Sequence, residues 1–160
     1  KIKESAMDFG WDFEKYEDKG QLLIKHKDPF SAEEGEELFW FRNELEEKDI
    51  DRVALDSTSV LSLYYENPYE IRKNLFQLVS MIEKQGVTAL LTTESEKGEE
   101  KLTRFGVEEF LVDGVIELDF TLVGADSGRH LAVRKMRRTD FKEEKFPIDI
   151  DGEGITVMSL

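Results

Sequence analysis

Three observations predict an α/β fold in which a parallel sheet flanked by helices is followed by antiparallel β-hairpins. Two β-prone apolar runs, Arg52 to Asp56 and Val87 to Thr93, are separated by about 30 residues containing a helical pattern, the spacing of a βαβ crossover. Within that interval Ile71, Leu75, Leu78, Val79 and Ile82 fall at i, i+4, i+7, i+8 and i+11, one apolar helix face. From Gly114 onward the texture changes to short strand-like runs paired around glycine-containing turns.

The elements follow in order. Ile2, Ala6 and Phe9 sit at helical spacing and Gly10 supplies a stop, so Ile2 to Phe9 reads as the end of a helix. Trp11 to Lys19 is an acidic, aromatic-containing helix or turn closed by Gly20, and Gln21 to Lys25 reads as a short strand. Asp28 to Ala32 has turn chemistry, with Ser31 placed to cap a helix running through Lys48 whose Leu38, Phe41 and Leu45 form one stripe. After the strand Arg52 to Asp56 and a short helix over Ser57 to Leu63, Asn67-Pro68 opens the amphipathic helix and Gly86 ends it. Val87 to Thr93 is almost continuously apolar, the pattern of a strand buried on both faces. Glu94 to Lys101 is a polar, candidate mobile loop. Val115 to Val123 and Arg129 to Met136 flank Gly124 to Gly128 as a hairpin, and Phe146 to Ile150 with Ile155 to Met158 form a second pair turned at Asp151-Gly152. No internal repeat or low-complexity linker is present, so residues 1–160 read as a single domain.

Composition narrows the function classes. With 39% hydrophobic and 36% charged residues the chain can bury a sizeable core and reads as soluble and globular. A formal charge of -14 repels phosphate, which argues against broad adhesion to nucleic acid or an anionic membrane unless a local basic patch overrides it. Zero cysteines exclude disulfides and thiolate metal sites. No signal peptide and no apolar run near 18 residues is found, so the cytoplasm is the default compartment and no membrane partner is expected.

Arg52-Val53-Ala54-Leu55-Asp56-Ser57 has the shape of a Walker B strand, whose terminal acid holds Mg²⁺ beside a glycine-rich phosphate-binding loop. Asp56 either serves that role, with Ser57 and Thr58 adding hydroxyls, or caps the helix that follows. No Gly-x-x-x-x-Gly-Lys followed by Ser or Thr occurs, and the first residue is Lys1, so the chain reads as the later part of a nucleotide-binding domain. Thr92, Thr93 and Glu94 end the next parallel strand and would emerge beside Asp56, although Thr at a strand end also has a propensity origin. Arg134-Lys135-Met136-Arg137-Arg138 is the one dense basic run. Strand alternation puts Leu131, Val133, Lys135 and Arg137 on one core-facing row that turns cationic at its end, suited to a phosphate or, alternatively, to a solvated edge. His26 and His130 lie in no metal-ligand spacing, and Glu33, Glu34, Glu36 and Glu37 suit a solvated helix start.

Arg52 to Ser57, the strand end Thr92-Thr93-Glu94, the stretch Thr103-Arg104-Phe105-Gly106-Val107-Glu108-Glu109-Phe110 with Asp113-Gly114-Val115, and Val133 to Arg137 together resemble the KaiC-like branch of the RecA-superfamily P-loop ATPases. Phe9-Gly10-Trp11-Asp12 followed by Gly20-Gln21-Leu22 is similar to the stretch after the catalytic glutamates of that family, so the resemblance covers nearly the whole chain. It implies the remnant of a RecA-like core that lacks its N-terminal P-loop part, and a homo-oligomeric ring, usually a hexamer, with ATP and Mg²⁺ between subunits. On that resemblance Asp56 is the metal-holding acid, Thr93 takes a sensor-like position, and Lys135 and Arg137 reach the neighbour's γ-phosphate. Ser57, Arg104 and Phe105 lie on the nucleotide side or near the interface.

The family's P-loop and catalytic glutamate pair precede the segment seen here. The chain alone is therefore expected neither to bind ATP tightly nor to hydrolyse it, and to expose apolar surface that associates with another copy or partner. The leading function is a portion of a KaiC-like ATPase with a regulatory or signalling role. The alternatives are a non-catalytic RecA-like interaction module and a recombinase paralogue acting on DNA. For the last, Glu94, Glu96, Glu99 and Glu100 against Lys97 and Lys101 make phosphate binding by that loop unfavourable.

Overall fold

The computed structural model describes residues 1–28, 38–95, 102–121 and 128–158. Two compact units emerge, one formed by Lys27–Asp113 and the other by Lys1–His26 together with Gly114–Leu160.

The Lys27–Asp113 unit has the parallel α/β order. Helix α3 (Phe39–Glu47) leads into strand β1 (Arg52–Leu55), a 3₁₀ turn over Thr58–Leu63, helix α4 (Pro68–Gln85), strand β2 (Thr88–Leu91) and the short helix α5 (Glu108–Leu111). The first two helices of the chain, α1 (Ile2–Asp8) and α2 (Phe13–Asp18), belong to the other unit. Strands β1 and β2 pair in parallel from Arg52↔Thr88 to Leu55↔Leu91. Helix α4 spans 18 residues because each end is well made. Asn67 Oδ1 accepts from the Tyr69 N–H at 2.9 Å, Pro68 occupies the first turn where its missing N–H is not needed, and Gly86 closes the helix at φ 69°. Leu75 and Leu78 are each 1% exposed. Fully burying a leucine side chain contributes roughly 1.5–3 kcal/mol, so this one face of α4 anchors the unit.

Two apolar clusters meet α4. Leu78 and Ile82 pack with Phe41 and Leu45 of α3 and with Val53, Leu55, Ala89 and Leu91 of the sheet, whereas Leu75 and Ile71 pack with Leu61, Phe105, Val107 and Leu111. Among the described residues, the sheet's apolar packing lies on that face. Arg52, Ala54, Thr88 and Leu90 point the other way, and Leu90 is 67% exposed, so β2 is not buried on both faces as its apolar run suggested. The start expected for α3 at Ser31 lies outside the described residues, as does most of the polar loop after Glu94.

The second unit is an antiparallel meander of strands β3 (Gly114–Thr121), β4 (Gly128–Met136), β5 (Lys145–Asp151) and β6 (Gly154–Val157), paired in that order. The turn expected over Gly124 to Gly128 lies outside the described residues except for Gly128, which opens β4. Helices α1 and α2 are joined by the Lys3–Glu17 ion pair at 2.5 Å. The short strand expected over Gln21 to Lys25 does not form: Gln21 sits in a bend and Leu22 to Lys25 run as irregular chain.

Side-chain direction in β4 departs from simple alternation. Buried positions are His130 and Ala132, not the row of Leu131 and Val133. Ile116 pairs with Val133 while Val115 pairs with Lys135, so Arg134 is an extra residue, a β-bulge. Glu117 and Asp119 oppose Ala132 and His130, and Val115 shares their side of β3. The bulge therefore moves Lys135 onto the His130 and Ala132 side, away from Leu131 and Val133. Arg134 pairs there with Glu117, Nε to Oε2, at 2.6 Å. The opposite side carries Ile116, Leu118 and Phe120 with Ile150, Ile155 and Val157, all exposed, and Leu118 is 70% exposed. Among the described residues no helix is long and apolar enough to cross a membrane.

Candidate functional site

The parallel pairing of β1 and β2 brings two strand ends together. Asp56 directly follows β1 and Thr92 directly follows β2, and Thr92 Oγ1 donates to Asp56 Oδ1 at 2.6 Å. The backbone is closed at the same point, because the Thr92 N–H donates to the Leu55 carbonyl and the Thr58 N–H to the Thr92 carbonyl. Thr58, buried beneath, adds its own hydroxyl to that Thr92 carbonyl at 3.2 Å. Ser57 is half-buried and extended, and the Asp56–Ser57 peptide is cis. Asp56 does not cap the 3₁₀ turn; Ser57 holds the cap position and makes no side-chain cap bond.

Along the same strand end the next residues turn to a different partner. Thr93 Oγ1 donates to Glu108 Oε1 at 3.1 Å, and Arg104 Nη1 pairs with Glu94 Oε2 at 2.9 Å. Glu108 is 7% exposed, an unusual burial for a carboxylate. Its second oxygen accepts from Thr103 Oγ1 at 2.7 Å and from the Val107 N–H at 3.2 Å. Thr103 Oγ1 also contacts Glu109 Oε2. Three consecutive residues, Thr92, Thr93 and Glu94, thus tie the edge to Asp56, to Glu108 and to Arg104 in turn.

Asp56 is solvent-exposed, and its Oδ2 takes no hydrogen bond among the described residues. A single open carboxylate steadied by a hydroxyl fits Mg²⁺ in nucleotide sites, where phosphates and waters supply the remaining ligands. Among the described residues no group of three acidic or histidine side chains forms a cage, so the chain's own donor set fits that mode and not a protein-only metal centre.

The other expected site residues are distributed between the units. Phe105 packs against Leu61, Ile71 and Leu75, and Arg104 is at the surface beside Glu94. Lys135 is half-buried near the end of β4, and Arg137 is exposed in the turn that follows, before Arg138 at φ 60°. Both belong to the unit containing Gly114–Leu160 and Asp56 to the other. Two residues gain weight from the structure. Thr92 stood undistinguished among the strand-end residues, and alternation along β2 is the signal that separates its partner from that of Thr93. Glu108 carried no role, because a buried acid in a Glu-rich stretch looks like a solvated one until its donors are known.

The whole chain, residues 1–160, matches the family described as ATPase: KaiC. It is similar to the circadian clock oscillator protein KaiC of Synechococcus elongatus, 30% identical over 169 aligned positions that cover 99% of this chain and 32% of that protein. KaiC of Prochlorococcus marinus is 31% identical with 99% and 33% coverage. Among solved structures, the chain resembles a KaiC-like protein from the hyperthermophilic archaeon Pyrococcus horikoshii OT3 with a TM-score of 0.82 and 33% identity, covering 99% of this chain and 69% of that one. The chain spans about a third of the length of these curated relatives.

Proposed function

The chain belongs to the KaiC ATPase family of the RecA superfamily, and from that premise we propose that it is a portion of an ATP-binding and ATP-hydrolysing ring protein with a regulatory or signalling role. Both compact units are, on this reading, parts of one RecA-like domain. The observation that carries it is the exposed Asp56 carboxylate, braced by Thr92 at the C-terminal ends of two parallel strands, where open α/β sheets bind their ligands.

Asp56 is the Walker B acid that would hold Mg²⁺, directly or through a water; Thr92 fixes its rotamer and Ser57 adds a hydroxyl. A Mg²⁺ held there would supply charge neutralisation for phosphoryl transfer. Thr93 stands at the sensor-like position one residue further along the edge. Arg104 and Phe105 lie toward the subunit interface, and Lys135 and Arg137 contact the γ-phosphate held by the neighbouring subunit of a homo-oligomeric ring, a hexamer on the family resemblance. Arg137 suits that task through its planar, permanently charged fork, and Lys135 as a point charge. The phosphate cradle is not among these residues and is assigned to another part of the whole protein.

Calorimetry with Mg²⁺-ATP on residues 1–160, and on a form extended upstream at its own locus to include any P-loop, tests the reading. Binding by the extended form alone, with its Mg²⁺ dependence weakened in Asp56→Ala, supports it. Absence of binding by both forms removes the ATPase assignment. A non-catalytic interaction module would then be the reading, favoured by the exposed apolar side of the β3–β6 sheet.

A further inference from the structure

The Thr93 hydroxyl has one proton to give, and in this structure it gives it to Glu108. Facing a phosphate oxygen, itself acceptor-only, Thr93 must rotate that proton away from the carboxylate. Glu108 Oε1 then loses the single donor it has among the described residues. Oε2 offers little reserve, because the Thr103 hydroxyl that serves it also has one proton and stands against Glu109 as well. What remains is the Val107 N–H at 3.2 Å. A buried carboxylate with one oxygen left without a donor is costly, so the segment that buries it must shift or admit water.

We infer that Glu108 is a positioning residue that competes with bound nucleotide for the Thr93 proton, so that occupancy of the Asp56 edge loosens the segment from Thr103 to Glu109. The inference rests on the reading of Thr93 as the sensor-like residue. It adds a route: strand end to Glu108, Glu108 to the Thr103 hydroxyl and the Val107 N–H, and from there to Arg104, which Glu94 of the same strand end grips from outside. The coupling is local and reciprocal, since whatever holds Thr103 to Glu109 in place disfavours the nucleotide-facing rotamer of Thr93 to the same degree.

The Val107 amide reports the event directly, because it donates to Glu108. Amide hydrogen exchange is followed in the whole protein that carries this segment, with and without Mg²⁺ and a non-hydrolysable ATP analogue, saturation being verified by calorimetry for each variant. Saturation is expected to speed Val107 exchange by about fivefold or more, the lower range of coupling between sites. Thr93→Val abolishes the response and Thr93→Ser, which restores a hydroxyl, recovers it. Glu108→Gln exchanges fast at Val107 with or without the analogue. An analogue that binds without changing Val107 exchange, or a Thr93→Val protein that responds like wild type, overturns the inference and leaves the nucleotide reading standing. A whole protein that fails to bind the analogue overturns both.

Discussion

Thr92 donates its hydroxyl proton to Asp56 across 2.6 Å, joining the ends of two parallel strands 36 residues apart in sequence. A carboxylate held this way enters metal binding with one rotamer already chosen. Replacing Thr92 by the near-isosteric Val keeps the strand and removes the brace. In the upstream-extended protein, Thr92→Val is expected to weaken the Mg²⁺ dependence of nucleotide binding by about tenfold, the usual effect of losing an outer partner of a metal ligand. A calorimetric titration of Mg²⁺ at fixed ATP reads it, and unchanged affinity would show that Asp56 orients itself.

The Leu78 side chain sits 1% exposed between α3, α4 and the covered face of the β1–β2 sheet. Leu78→Ala leaves a cavity there and is expected to destabilise by about 2–5 kcal/mol. Urea unfolding followed by circular dichroism should show a lower midpoint with an unchanged slope. Tyr69→Ala, at an exposed position on the first turn of the same helix, serves as the comparison and should move the midpoint little.

How far the sequence disclosed this arrangement depends on how local the cause was. Helix α4 was legible at both ends because its cap, its proline and its terminal glycine act within one turn. The antiparallel strands were legible as strand-like runs, and the turn at Asp151-Gly152 marked the second pair. Gln21 to Lys25 has strand propensity but runs as irregular chain, because propensity alone does not make a strand. The uncovered face of β2 was hidden because an apolar run does not state what lies against each side. The bulge at Arg134 was beyond a period-two reading, since register belongs to the pair of strands and not to either one. At the edge itself, the acid and the threonines stood out as residue types, whereas the division of labour between Thr92 and Thr93 appears only once Glu108 is folded beneath them.

Asp119 provides a pH handle. Donation from Lys145 at 3.0 Å, aided by the Phe120 N–H, holds its carboxyl below the ordinary aspartate value against the opposing effect of desolvation. A lowered folded-state value means that the pair contributes stability above the unfolded-state value and loses it as pH falls through the folded one, in the acidic range. Lys145→Ala should therefore raise the Asp119 titration midpoint, measured by carboxyl carbon NMR, and flatten the acid limb of the stability curve. The pair is exposed, so added salt should shrink the difference.

The uncovered apolar side of the β3–β6 sheet predicts association of residues 1–160 with themselves in the absence of other partners. Light scattering should give a mass that rises with concentration, and Leu118→Lys, at a position already 70% exposed, should return it to the monomer without loss of secondary structure. A monodisperse wild-type monomer that binds no apolar dye would contradict this.

The order of the two units along the chain has a consequence for biosynthesis. Residues 27–113 are contiguous and belong to one unit, whereas the other is assembled from residues 1–26 and from everything after Asp113. The late strand β6 begins where a side chain at Gly154 would sit 3.5 Å from the Trp11 ring, so the earliest-made segment waits for the last. On a ribosome releasing chain from its N-terminus, the Asp56 edge can be complete while α1 and α2 still lack the sheet they share a unit with. A pause or truncation in translation downstream of Asp113 would thus release a polypeptide with its parallel strands formed and its first two helices unpartnered, a species that quality-control chaperones meet as a half-finished product.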